Sequence, residues 1–161
     1  MAAQLWLLRH GEAEPHDARP DPERRLTERG EAQSRDAGRA LATLDVSFTL
    51  VFTSPKVRAL ETARLACEAL GVEPVVHPPL GEGFDVHEAL ALAAAGGEDA
   101  RTLLVGHEPD LSQVLHDLTG ARAQMKKGGI AGVALRRATG GEMLALLRPR
   151  ELRRLAEVAA R

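Results

Sequence analysis

Three short segments combine imidazole, guanidinium and hydroxyl groups at points where an apolar run stops: Arg9-His10-Gly11, Thr53-Ser54-Pro55 and Gly106-His107. Taken singly, a histidine at such a point is an ordinary hydrogen-bonded or surface residue. Taken together they are harder to dismiss, because in open parallel sheets ligands collect beyond the carboxyl ends of the strands. Arg58 extends the set: it falls in the first turn after Pro55, where helical side chains lean back toward the N-terminus. Alone it would be a solvated arginine on a helix face. Helix starts after Ser54 and Glu108 add positive potential. Two arginines, two histidines and two helix starts converging on one place describe an oxyanion pocket, most naturally for phosphate.

The elements that must position these groups follow from the apolar pattern. Leu5–Leu8, Phe48–Thr53 and Thr102–Val105 are continuous apolar runs suited to strands covered on both faces, and Val75-Val76 is a short further strand. Residues 14–25 carry Pro15, Pro20 and Pro22 and form an irregular loop; Pro78–Phe84 forms another. Helices are predicted from Thr27 to Leu44, with Ala37, Ala40, Leu41 and Leu44 on one buried face, and over Val86–Ala95. Ser54-Pro55 is predicted to cap and open a helix ending at Gly71, with Val57, Leu60, Cys67 and Leu70 on its core face. A helix from Pro109 to Leu118 follows. Strands 130–137 and 142–147 flank a Gly140-Gly141 turn, and a terminal helix from Arg150 turns Leu152, Leu155 and Val158 inward. This alternation predicts a three-layer α/β/α fold, its central sheet mostly parallel with at least one antiparallel strand.

The bulk properties restrict the function. At 161 residues the chain is sized for a single domain spanning residues 1–161. A net charge of −2 and four aromatic residues, Trp6, Phe48, Phe52 and Phe84, disfavour a nucleic-acid partner. The lone Cys67 permits no intrachain disulfide and is expected as a small core residue. Leu5–Leu8 is too short for a signal sequence or a membrane span, so a cytoplasmic protein with no membrane association is expected. His16, His77, His87 and His116 show no metal-type spacing with one another or with Cys67, and no nucleotide-binding glycine loop is present. No metal and no cofactor are expected.

Beyond these physical readings, the ordered motifs resemble those of the histidine phosphatase superfamily, the phosphoglycerate mutase-like proteins. Leu8-Arg9-His10-Gly11-Glu12 is similar to its signature, and Leu26-Thr27-Glu28-Arg29-Gly30 to its L-T-x-x-G element. Ser54–Ala63 is similar to its S-P-x-x-R-A-x-x-T-A element, and Val105-Gly106-His107-Glu108 to its late G-H segment. The short length, Arg24-Arg25-Leu26-Thr27, Gly106–Leu111 and Lys127–Ala131 resemble the SixA-type phosphohistidine phosphatase branch. Residues 12–17 lack the asparagine that mutase-like enzymes carry after the signature, which argues against selection of a phosphoglycerate.

The resemblance implies that His10 is a nucleophile that becomes phosphorylated and that Arg9, Arg58 and His107 hold the phosphoryl group. That suits the residue types. A nucleophilic imidazole must be neutral at the attacking nitrogen, and nearby guanidinium groups both disfavour imidazolium and stabilise the transferring oxygens. The charge state of His107 stays open at this level. Glu82 is placed like the acid that protonates an ester leaving group, with Asp85 as the alternative. Arg24, Ser54 and Lys127 are expected to contact substrate.

The leading expectation is a metal-independent phosphohydrolase acting on phosphohistidine in a partner protein, through an open site with no room for a lid. The competing expectations are a phosphatase of small phosphate esters using the same pocket, and a non-catalytic phosphate- or phosphoprotein-binding module. A binding module would have no need of a nucleophile.

Overall fold

In the computed structural model, which describes residues 2–136 and 140–159, strand β1 (Gln4–Arg9) runs through the middle of a six-stranded sheet. Its leucines and tryptophan are buried on both faces, as the unbroken apolar run predicts. Leu5 and Leu7 join one hydrophobic core, Trp6 and Leu8 the other. A fully buried leucine contributes about 1.5–3 kcal/mol relative to an exposed one, so this strand anchors both layers.

The elements that follow are α1 (Glu28–Thr43), β2 (Leu50–Thr53), α2 (Val57–Leu70), β3 (Val75–Val76), α3 (Val86–Ala95) and β4 (Arg101–Gly106). They are succeeded by α4 (Asp110–Thr119), β5 (Ile130–Arg136), β6 (Gly140–Leu147) and α5 (Pro149–Ala159). Strand order is β3-β2-β4-β1-β5-β6. The first four in that order pair in parallel; β5 is antiparallel to β1 and to β6. Residues of α1, α2 and α5 build the core on one face, those of α3 and α4 the core on the other, which is the three-layer α/β/α arrangement. No helix among the described residues is long and apolar enough to cross a membrane.

Several local expectations are corrected. Helix α2 begins at Val57 rather than beside Pro55, because the Ser54 hydroxyl engages the Lys56 N–H and His107 instead of capping a helix. The buried face of α2 is made of Arg58, Ala59, Thr62, Ala63, Ala66 and Cys67, with Val57, Leu60 and Leu70 only half-buried. Small residues are needed there because α1 and α2 touch backbone to backbone: a Cβ added to Gly38 would stand 2.1 Å from the Ala66 carbonyl oxygen. Leu44 and Val158 are exposed, since each lies past the last turn of its helix that meets the core. Gly140 and Gly141 pair with Arg136 and Leu135 as part of β6, so they do not form the turn. Residue 137, predicted as the end of a strand, lies outside the described residues. Part of the predicted 78–84 loop is a short 3-10 turn over Pro78–Gly81.

Candidate active site

The three polar segments leave the sheet side by side. Arg9 stands opposite Gly106 in the β1–β4 register and Thr53 opposite Val105 in the β2–β4 register. Backbone bonds continue beyond the strands, from His10 N to Gly106 O (3.1 Å) and from Ser54 N to Val105 O (3.0 Å). His10 and His107 therefore meet with ring centroids 5.1 Å apart. Both are buried, as are Ser54, Arg58 and Arg24.

Close backbone packing seats the nucleophile candidate. A Cβ on Gly11 would lie 2.5 Å from the Gly30 carbonyl oxygen, and one on Gly30 would lie 1.9 Å from that of Glu12. Glycine at both positions lets the start of α1 press against the chain just after His10. Thr62 Oγ1 accepts from Gly11 N (3.1 Å) and donates to Arg58 O (2.7 Å), tying α2 to the same point. Gly128 N lies 2.9 Å from His10 O, which ties the segment before β5 to it as well.

His10 Nδ1 is 2.7 Å from the carbonyl oxygen of Gly11. A carbonyl only accepts, so Nδ1 carries the proton and Nε2 keeps its lone pair. Burial above all, with the charges of Arg58, Arg9 and Lys127, pushes the His10 pKa down to about 3 against the raising effect of the Gly11 bond. Burial likewise brings His107 down to about 3, helped by His10, Arg58 and Lys56 and opposed by Asp21. Both imidazoles are neutral at neutral pH, which answers the question left open for His107.

The arginines are pinned by their terminal nitrogens. Arg9 Nη1 donates to Met125 O (2.8 Å), and Arg58 Nη1 donates to Asp21 O (2.8 Å). Arg9 Nε, Arg58 Nε and His107 Nδ1 are buried without any hydrogen-bond partner among the described residues. Leaving one such group unsatisfied costs about 1–3 kcal/mol. All three belong to residues that sit against His10 or act on its charge, whereas the fourth unpartnered group, Thr102 Oγ1, lies at the other end of β4.

Arg24 is tied to Glu14 O (2.6 Å) and Asp21 Oδ1 (2.9 Å), one residue removed from Arg58. Lys127 is exposed, yet its charge acts on His10. Glu82 is exposed and makes no hydrogen bond or ion pair among the described residues. Its neighbour Gly81 lies against Pro55 and Ser54: a Cβ there would stand 3.4 Å from Pro55 Cδ and 3.8 Å from Ser54 Oγ. Asp85 is used elsewhere, in a capping box with Glu88 at the start of α3. Sequence reasoning missed Asp21 and Lys56, and gave Thr62 no role. Among the described residues no three His, Cys, Asp or Glu side chains gather as metal ligands. Cys67 is buried in the core, its thiol pushed up to about 11 by that burial and by Glu73.

A doubly covered sheet whose parallel strands bring two histidines and Arg9 to their carboxyl ends, with Arg58 joining them from α2, defines a class. The sequence model of the histidine phosphatase superfamily (branch 1) matches residues 5–110, and the chain belongs to that superfamily. It is similar to the protein histidine phosphatase SixA, solved in complex with tungstate: 28% identity, 92% of this chain and 99% of that one covered, TM-score 0.83. An uncharacterized protein of Picosynechococcus sp. is 34% identical over 81% of this chain and 84% of its own length. A 2,3-bisphosphoglycerate-dependent phosphoglycerate mutase of Methylobacterium radiotolerans is 38% identical over 80 residues, 47% of this chain but only 37% of the mutase. The fold extends to a phosphoserine phosphatase of Entamoeba histolytica, at 16% identity and TM-score 0.72 over 94% of this chain and 100% of that one. These relatives support a phosphatase-like enzyme.

Proposed function

We propose that this protein is a metal-independent phosphohistidine phosphatase that works through a phosphorylated His10. The observation that carries this reading is the set of buried, partnerless nitrogens on Arg9, Arg58 and His107 beside a histidine whose Nε2 holds a lone pair. Nε2 of His10 attacks phosphorus as the bond to the substrate nitrogen breaks, and the substrate ring, protonated on its other nitrogen, keeps the bond pair and departs as neutral imidazole. Arg9, Arg58 and His107 take the three phosphoryl oxygens, where charge must be held during transfer. Water then attacks the phosphohistidine, releasing phosphate and returning neutral His10. The likeness to SixA favours phosphohistidine on a protein as the substrate. A protonated imidazole leaving group needs less help than an alkoxide, which fits an exposed carboxylate, Glu82, that no partner among the described residues holds in place. A divalent cation would meet Arg9, Arg24, Lys56 and Arg58, so none is required.

The test is rapid-quench labelling with a phosphohistidine protein carrying ³²P, with and without chelator. The expected result is an alkali-stable, acid-labile label that is absent from His10→Ala and unaffected by chelation. Turnover of small esters with none of phosphohistidine proteins would favour the small-ester reading instead. Label persisting in His10→Ala, or activity that needs an added metal, would refute the mechanism.

A further inference from the structure

Asp21 takes no part in the transfer just described, yet it stands on three cations. Its carboxylate lies 2.9 Å from Arg24 Nη2, 3.3 Å from Arg58 Nη2 and 3.4 Å from Lys56 Nζ. Its main-chain oxygen also accepts from Arg58 Nη1. Burial alone would raise the Asp21 pKa, but the hydrogen bonds from Arg24, Arg58 and Lys56 and the charge of Arg58 outweigh it and hold the carboxyl well below the usual range. Asp21 is therefore an anion at any working pH, useless as an acid.

Arg58 is divided by this arrangement. Its terminal nitrogens face Asp21, while Nε remains buried and unpartnered for the phosphoryl oxygens. Lys56 and Arg24 lie on the Asp21 side of that division. A small substrate with a second anionic group near its phosphate would find its natural counter-ions in these two cations. The chain's own carboxylate already occupies them, and a second anion would have to displace it or lie against it.

We propose that Asp21 is a specificity-determining residue that excludes substrates bearing a second negative charge close to the transferring phosphate; this deepens, and rests on, the phosphoryl-transfer reading above. Phosphohistidine escapes the exclusion because its ring carries no second negative charge. Phosphorylated carboxylic acids do not escape it. The device selects by what it repels, which is how sites discriminate when the shared phosphate supplies most of the attraction.

A matched pair of ligands reads this directly. 3-Phosphoglycerate and glycerol 3-phosphate differ in a carboxylate against a hydroxymethyl group, and both are titrated calorimetrically into full-length His10→Ala protein, which does not turn them over. Adding Asp21→Asn should tighten 3-phosphoglycerate about three- to fivefold relative to glycerol 3-phosphate, the range of a partly exposed charge pair. Asp21→Glu, which restores the charge, should restore the wild-type ratio. An equal change for both ligands, or no binding of either to any variant, would overturn the proposal and leave Asp21 as a strut for Arg58. Failure of the transfer reading shows separately, as absence of label on His10 in the otherwise unaltered protein, and leaves the ligand ratio untouched.

Discussion

Ser54 Oγ lies 2.8 Å from Nε2 of His107, and this pair decides which nitrogen of His107 carries the ring proton. The same Oγ accepts from Lys56 N at 3.1 Å, and its hydroxyl proton has no other acceptor among the described residues. With the serine donating to Nε2, the ring proton of neutral His107 sits on the unpartnered Nδ1. In that tautomer the two histidines are complementary, His10 with a lone pair on Nε2 and His107 with an N–H at Nδ1.

Removing the Ser54 oxygen tests the arrangement. Ser54→Ala should lower kcat/KM about tenfold, the value of one buried hydrogen bond, and chiefly through kcat because the His107 donor matters most as charge develops. Steady-state kinetics on a phosphohistidine protein check it; a change confined to KM would contradict the tautomer assignment.

Both histidines are held neutral in the folded protein, with pKa values near 3 against 6.5 when unfolded. Between these limits the unfolded chain binds more protons, so stability is fully present above about pH 6.5 and falls as pH drops toward 3. Each group contributes up to about 1.4 kcal/mol per pH unit in that window. His107→Gln should flatten the decline in denaturant unfolding measured from pH 7 to pH 4; a slope as steep as that of the parent protein would show that His107 is not buried neutral.

Glu82 is expected to separate substrates by leaving group. Glu82→Gln should slow alkyl phosphate esters by about 10²-fold, the scale of general acid catalysis, and phosphohistidine far less. Equal losses on both substrates would remove Glu82 from the role of proton donor.

Gly38 gives a stability prediction of unusual sign. Glycine to alanine inside an exposed helix gains about 1 kcal/mol from propensity. Here the new methyl would strike the Ala66 carbonyl, so Gly38→Ala should instead cost about 1–3 kcal/mol by prising α1 from α2. Chemical denaturation reads the difference, and a stabilised variant would show that the helices separate freely.

The site was legible where it rests on local pattern. Buried runs that stop at Arg9-His10, Thr53-Ser54 and Gly106-His107 mark the strand ends, and parallel packing brings them together. What escaped was set by long-range partners. Ser54 looked like a helix cap because serine before proline suits one, but its hydroxyl serves a histidine 53 residues away. Asp21 lies in a proline-rich stretch with no periodicity, and its significance comes from Arg58, 37 residues along the chain. Gly140-Gly141 resembled a turn, whereas the register with Leu135 and Arg136 keeps it in the strand. Leu44 and Val158 continue a helical stripe beyond the reach of the core.

The loop that carries Asp21 is pinched shut at its base. Ala13 bridges Leu26, Glu14 N bonds Arg25 O (2.8 Å), Thr27 N bonds Glu12 O (3.0 Å), and Gly11 and Gly30 lock together just beneath. The neck separates the main chain of residues 14–25 from the seat of His10, while Asp21 still reaches across to hold Arg58. Loop closure entropy grows only slowly with length, so added residues in this segment cost little as long as the neck and the Asp21–Arg58 contact stay tied. The scaffold therefore holds two parts of the candidate site by different means: a glycine-tight clamp fixes the main chain at His10, and a loop closed at its base carries Asp21 to Arg58.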